Sequence, residues 1–205
     1  MENKNSIVLF EGNNDNKINN CLFDKIDKYI YIGNVDTAKN KEFLMQNGIK
    51  RIVNVTDNIP NFFENEFEYF NLKVEDRRTK FKIILENLEN VLNFIETSKK
   101  KTLIHCNAGT SRSATILLIY IMKVKKITLK KAFEYVLNKR STNSYTHPNI
   151  GFFQKILLPF EKSLFNENSM TLYDYQGMQC SGLLSAITVT TDVTTDVTTE
   201  IFAFS

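Results

Sequence analysis

The 205-residue sequence predicts an α/β fold, a single domain with a central, mostly parallel sheet flanked by helices on both faces. Three observations predict it. Short β-prone apolar runs at 29–32, 51–55 and 69–74 are separated by stretches of helical period. A further run at 102–104 passes through a tight loop into the nearly all-apolar stretch 113–124, long enough for a buried helix. From residue 128 to about 165 the patterns are helical.

Residues 1–22 are rich in Asn, Lys and Asp with little periodicity, so they read as a flexible N-terminal extension, apart from the apolar patch Ile7-Val8-Leu9-Phe10. A short helix is expected at about 37–46, between the first two strands. Phe81, Ile84, Leu85, Leu88, Val91, Leu92 and Ile95 recur at helical spacing and form the core face of an amphipathic helix. Thr128 is placed to cap another helix that runs to about Arg140 and buries Ala132, Phe133, Val136 and Leu137. The last helix begins near Asn149, after Pro148, and Pro159 is expected to kink or divide it. This places the domain at 23–165. Residues 166–205 read as a C-terminal tail. Its three near-identical tetrads, Val189-Thr190-Thr191-Asp192, Val193-Thr194-Thr195-Asp196 and Val197-Thr198-Thr199-Glu200, suit a disordered segment better than a docking or self-association strand.

Composition narrows the class. With 42% hydrophobic residues the chain can bury one substantial core, and sixteen Phe with no Trp make that core Phe-heavy. A net charge of +3 is too mild to imply nucleic-acid binding. No apolar run follows a basic start and none is bilayer-length, so a protein of the cytoplasm, with access to the nucleus, is expected and no membrane span. Cys21, Cys106 and Cys180 suggest no disulfide framework, and with only His105 and His147 they offer no metal-ligand spacing; no metal or other cofactor is expected. Asn54-Val55-Thr56 has the form of a glycosylation site but falls in a predicted buried strand.

The segment His105-Cys106-Asn107-Ala108-Gly109-Thr110-Ser111-Arg112-Ser113 carries the chemistry. Between a strand and a helix, the amides from Asn107 to Arg112 can point inward, and the start of the helix adds the positive end of its dipole. Gly109 suits a sharp turn without a Cβ. Arg112 supplies a planar fork that grips two phosphate oxygens at once. A thiol beside cationic groups and a helix N-terminus is favoured as thiolate, so the field that binds phosphate would also activate Cys106 as a nucleophile. By position, His105 is expected to hydrogen-bond nearby backbone and hold Cys106 in place. The Ser113 hydroxyl is placed to reach the sulfur when it becomes a leaving group.

This loop resembles the signature loop of the cysteine-dependent protein tyrosine phosphatases, in their small dual-specificity branch. The likeness extends to Lys28-Tyr29-Ile30-Tyr31-Ile32-Gly33-Asn34, to Asn47-Gly48-Ile49-Lys50-Arg51-Ile52-Val53-Asn54-Val55, and to His147-Pro148-Asn149-Ile150-Gly151-Phe152-Phe153. It implies a general acid, an aspartate on a loop about thirty residues ahead of the nucleophile. Asp76, in Leu72-Lys73-Val74-Glu75-Asp76-Arg77-Arg78, lies there, and Glu75 is its neighbouring competitor. The resemblance favours Asp76 because an apolar residue, here Val74, stands two places before the family's aspartate.

The implied reaction has two steps and no metal: Cys106 attacks phosphorus while Asp76 protonates the departing oxygen, and Asp76 then activates the water that hydrolyses the phosphocysteine. The likeness also bears on the substrate. Family members acting on inositol phospholipids carry lysines inside the loop, and RNA-phosphatase relatives have Thr-Gly after the arginine; this chain has neither. Phosphorylated proteins, at phosphotyrosine and phosphoserine or phosphothreonine, are the expected partners. Arg77, Arg78, Lys80 and Lys82 flank the acid and would attract acidic or multiply phosphorylated segments. Hydrolysis of RNA 5′-phosphates or phosphoinositides, and phosphopeptide binding without turnover, are the alternatives. Neither the physiological substrate nor the oligomeric state follows from the sequence.

Overall fold

The computed structural model describes residues 23–140 and 145–178. The chain divides into two compact units, Met1–Thr171 and Leu172–Ser205. In the first, five strands form one sheet: β1 (Phe23–Lys25), β2 (Ile30–Gly33), β3 (Ile49–Asn54), β4 (Glu68–Asn71) and β5 (Lys101–His105). Their order is β1-β2-β5-β3-β4, with β1 antiparallel to β2 and every other pair parallel. The mostly parallel sheet is therefore as expected. The antiparallel edge β1 has no counterpart in the sequence reading, since three residues with one buried are too few to show a period.

Strand register builds the core in rows. Tyr31, Leu103 and Ile52 pair across β2, β5 and β3 and pack with Ala38, Phe43 and Leu44. The next row, Ile32, Ile104 and Val53, points to the opposite face by strand alternation and is fully buried. A parallel strand enclosed on both faces reads as a continuous apolar run, as Thr102-Leu103-Ile104 does.

The helix expected at 37–46 is two. An N-cap asparagine starts each: Asn34 accepts from Thr37 N–H ahead of α1 (Val35–Lys39), and Asn40 accepts from Phe43 N–H at 2.9 Å ahead of α2 (Lys41–Gln46). The amphipathic helix α3 (Phe81–Glu96) buries Ile84, Val91, Leu92 and Ile95 but leaves Leu85 exposed. The buried helix α4 (Arg112–Lys125) contacts β2 and β5, and it stops at Lys126, whose φ of 54° is left-handed.

Thr128 precedes α5 (Leu129–Leu137) but makes no side-chain cap bond. A distant carboxylate does that work: the wholly buried Glu161 accepts from Leu129 N–H at 2.7 Å, and from Ser169 N–H and Oγ at 3.1 and 2.5 Å. Leu137, expected inside, is exposed. Next come α6 (Ile150–Phe152), a π-helical turn at Phe153–Leu157, and α7 (Leu158–Phe165) with Pro159 in its first turn. Pro159 has no N–H to donate and divides the helix by widening the turn before it.

The packed chain continues past Phe165 through Ser169 to the buried Met170. In the second unit, residues 172–178 are helical, within the segment expected as a disordered tail. The N-terminal extension 1–22 and the threonine tetrads lie outside the described residues.

Arg140 and Asp24 form an ion pair at 3.1 Å with side chains only 2% and 4% exposed. Burial pulls the Arg140 guanidinium below its ordinary proton affinity, and Asp24 opposes that. Arg140 also donates to Tyr145 O at 2.7 Å and Thr146 Oγ1 at 3.4 Å, which fixes the chain entering Pro148-Asn149. Asp24→Ala leaves that charge buried and unpaired, and the expected loss is about 3–5 kcal/mol by urea unfolding.

Candidate active site

Three strand ends meet at one register position. His105 pairs with Gly33 on β2 and Asn54 on β3, so the segments after β2, β3 and β5 emerge together at the carboxyl edge of the sheet. In open α/β sheets that edge is where ligands bind. The loop after β5 is tied to its neighbours by backbone bonds: Val35 N–H to Asn107 O at 3.0 Å, Val55 N–H to His105 O at 2.9 Å and His147 N–H to Thr110 O at 2.8 Å. Gly109 has φ +73°, and a Cβ on it would lie 2.7 Å from Gly33 O. Only glycine fits there, for both reasons.

Cys106 is buried, with Sγ 3.2 Å from Ser113 Oγ in the first turn of α4. The Arg112 side chain is 8% exposed, and its two edges have different surroundings. Nη1 donates to Val74 O at 3.1 Å and lies 3.6 Å from Asp57 Oδ1. Nε lies 3.7 Å from Asp76 Oδ2 and makes no hydrogen bond among the described residues. The Ser111 side chain does not cap α4, because its hydroxyl is engaged elsewhere: it donates to Asp76 Oδ1 at 2.8 Å and accepts from Asn149 N–H at 3.0 Å. The first-turn amides therefore lack the acceptor that an N-cap serine would supply.

The two competing carboxylates separate clearly. Asp76 reaches the loop, whereas Glu75 pairs with Arg77 at 2.8 Å and Lys80 at 3.3 Å. That pairing occupies two of the four basic residues expected to recruit substrate; Arg78 and Lys82 make no ion pair among the described residues. The acid-bearing segment is also held from behind. A Cβ on Gly151 would lie 2.3 Å from Arg78 O, so its absence lets α6 and this backbone touch.

His105 is wholly buried. Neither ring nitrogen makes a hydrogen bond of good geometry among the described residues, and the Cys106 backbone stands near enough to act on it as a weak partner. Its pKa falls from 6.5 to about 4, chiefly by burial, with the Arg112 charge adding and the adjacent Cys106 backbone opposing. The ring is fully enclosed, and with that value it is neutral at physiological pH.

Asp57, Val74 O, Asn149 N–H and Arg140 were not found as site or supporting groups from the sequence. Asp57 had a signal: it follows β3, whose carboxyl end must lie beside that of β5 in a parallel pair.

A buried thiol, a buried arginine and a carboxylate meet around the loop after β5, and comparison with known proteins places the chain in a family. The family model for the dual specificity phosphatase catalytic domain matches residues 30–162. The chain belongs to that family, within the cysteine-based protein tyrosine phosphatases. It is 36% identical over 136 residues to protein phosphatase Slingshot of Drosophila melanogaster, covering 64% of this chain and 12% of the relative. It is 36% identical over 137 residues to dual specificity protein phosphatase 1-B of Xenopus laevis, covering 66% and 36%. The chain thus spans far less than two thirds of either relative. The crystal structure of human DUSP28 shares the fold, with a TM-score of 0.62 at 24% identity, over 69% of this chain and 94% of that one.

Two outcomes follow. The unfolded chain protonates His105 below about pH 6.5 while the folded protein resists until about 4, so unfolding takes up a proton between those values. Stability should fall as pH drops through that window, and His105→Gln should remove that component of the slope in urea unfolding. Gly109→Ala should weaken inorganic phosphate binding by on the order of tenfold or more, read by calorimetry, because strain and the Gly33 contact both displace the loop.

Proposed function

We propose that this chain hydrolyses phosphate monoesters on proteins, at phosphotyrosine and at phosphoserine or phosphothreonine, through a phosphocysteine on Cys106. The observation that carries the proposal is the buried Arg112 Nε, which has no hydrogen bond among the described residues, beside a helix start that Ser111 does not cap and the Cys106 sulfur. A tetrahedral dianion supplies acceptors for the guanidinium and the amides at once and presents phosphorus to the sulfur.

In the first step Sγ forms a bond to phosphorus as the ester P–O bond breaks, and Asp76 gives its proton to the departing oxygen. In the second, Asp76 takes a proton from water as its oxygen bonds to phosphorus. The S–P bond breaks, inorganic phosphate leaves, and the Ser113 hydroxyl stabilises the thiolate. Arg112 and the amides from Asn107 through Ala108, Gly109, Thr110 and Ser111 hold the equatorial oxygens. His105, neutral and buried, takes no part in proton transfer.

Protein substrates are favoured over phosphoinositides because no lysine lies between Cys106 and Arg112, and over RNA ends because Ser113-Ala114 follows the arginine. Arg78 and Lys82, exposed and without ion pairs among the described residues, are the residues left to engage an acidic or further phosphorylated stretch of substrate. Among the described residues no helix is long and apolar enough to cross a membrane. The cytoplasm, with access to the nucleus, is the proposed location.

Cys106→Ser should abolish turnover of an aryl phosphate while still binding inorganic phosphate; retained turnover would refute the mechanism. Asp76→Asn should remove the basic limb of the pH–rate profile and slow a phosphoserine peptide by about 10²–10⁴-fold, with a smaller loss for an activated aryl ester. An unchanged profile would move the role to Glu75.

A further inference from the structure

The Ser111 hydroxyl sits at the one point where the phosphate loop, the acid-bearing segment and the start of α6 meet. Asn149 N–H can only donate, so Ser111 Oγ accepts there, at 3.0 Å. The hydroxyl has one proton, and it points to Asp76 Oδ1 at 2.8 Å. The serine cannot turn away cheaply. It is 8% exposed, and its carbonyl accepts from both the N–H and the Oγ1 of Thr115, each at 2.9 Å. Asp76 is thereby held by one oxygen, and Oδ2 is left on the side of Arg112 Nε, 3.7 Å away.

We infer that Ser111 is a positioning residue that assigns different tasks to the two oxygens of Asp76. Oδ1 accepts from Ser111 throughout the cycle, and Oδ2 carries the proton that goes to the leaving oxygen and later receives one from water. The inference rests on the phosphatase reading. Its physical content is that a carboxylic acid protonated on the wrong oxygen, or rotated about its side chain, points its proton away from the ester. A backbone amide fixed at the head of α6 sets the serine, and the serine sets the acid. Ser111 thus has a role apart from its loop amide, which faces the phosphate.

Acid help matters most when the leaving group is poor, which separates positioning of Asp76 from damage to the loop. Turnover of a phosphoserine peptide and of para-nitrophenyl phosphate would be compared in Ser111→Ala, in Ser111→Thr and in Ser111→Ala combined with Asp76→Asn. Ser111→Ala is expected to lower kcat for the peptide on the order of tenfold or more, and for the aryl ester about threefold or less, with KM little changed. Ser111→Thr, which keeps the hydroxyl, should restore most of the loss. With Asp76→Asn already present, Ser111→Ala should cost little more. Equal losses on both substrates, a loss confined to KM, no loss at all, or full additivity with Asp76→Asn would each overturn the inference. Wild-type protein without Cys106-dependent turnover of either ester would instead overturn the phosphatase reading beneath it.

Discussion

A guanidinium held in the interior is the constraint around which the site is arranged. Arg112 keeps its charge with a side chain 8% exposed, and its surroundings must replace the lost water. They do so unevenly. Val74 O and Asp57 serve the Nη1 edge, whereas on the other side Nε has, among the described residues, only Asp76 at ion-pair distance. One edge is anchored to the protein and the other is open to an anion. Were both edges fully bonded, the arginine would be structural; were neither, it would turn to solvent.

That arrangement needs several strand ends at one place, and the sheet order provides it. With β5 between β2 and β3 and all three parallel, the segments carrying Asn34, Asp57 and Cys106 emerge side by side. Val74 and Asp76 come from the chain after β4, on the far side of β3. The loop is then fixed by main-chain bonds from Val35, Val55 and His147, which engage carbonyls of His105, Asn107 and Thr110 and not their amides. Rigidity comes from outside the loop, so the chemistry need not supply it.

What could be read from the sequence follows from how local each signal is. The strand, loop and helix around Cys106, the α3 stripe and the nucleophile with its arginine are all set within a few residues, and they stand where the pattern put them. Cap identity failed at Thr128 because Glu161 reaches the α5 start from 32 residues away. The single helix expected at 37–46 divides because Asn40 looked like a helix interior residue in a string of helix formers, while its side chain caps Phe43. Leu85 and Leu137 fit the helical period but sit where no neighbouring element covers them, and period does not reveal that. The Asp24–Arg140 pair spans 116 residues and leaves no mark on any local pattern.

The choice between Glu75 and Asp76 shows the same divide at the scale of one residue. Sequence alone offers two adjacent carboxylates in a charged run. In the fold the chain turns at Asp76, where Arg77 N–H donates back to Glu75 O at 2.9 Å, and only Asp76 reaches the loop. Val74, two residues before Asp76, is fully buried and gives its carbonyl to Arg112, which anchors the segment just ahead of that turn. Glu75 is turned outward to Arg77 and Lys80. Moving the segment by one residue, so that Glu75 took the place of Asp76, would turn the apolar Val74 outward and put Lys73 in its buried position. The core therefore sets which carboxylate reaches the loop, and the electrostatics of the site act on a choice already made by packing.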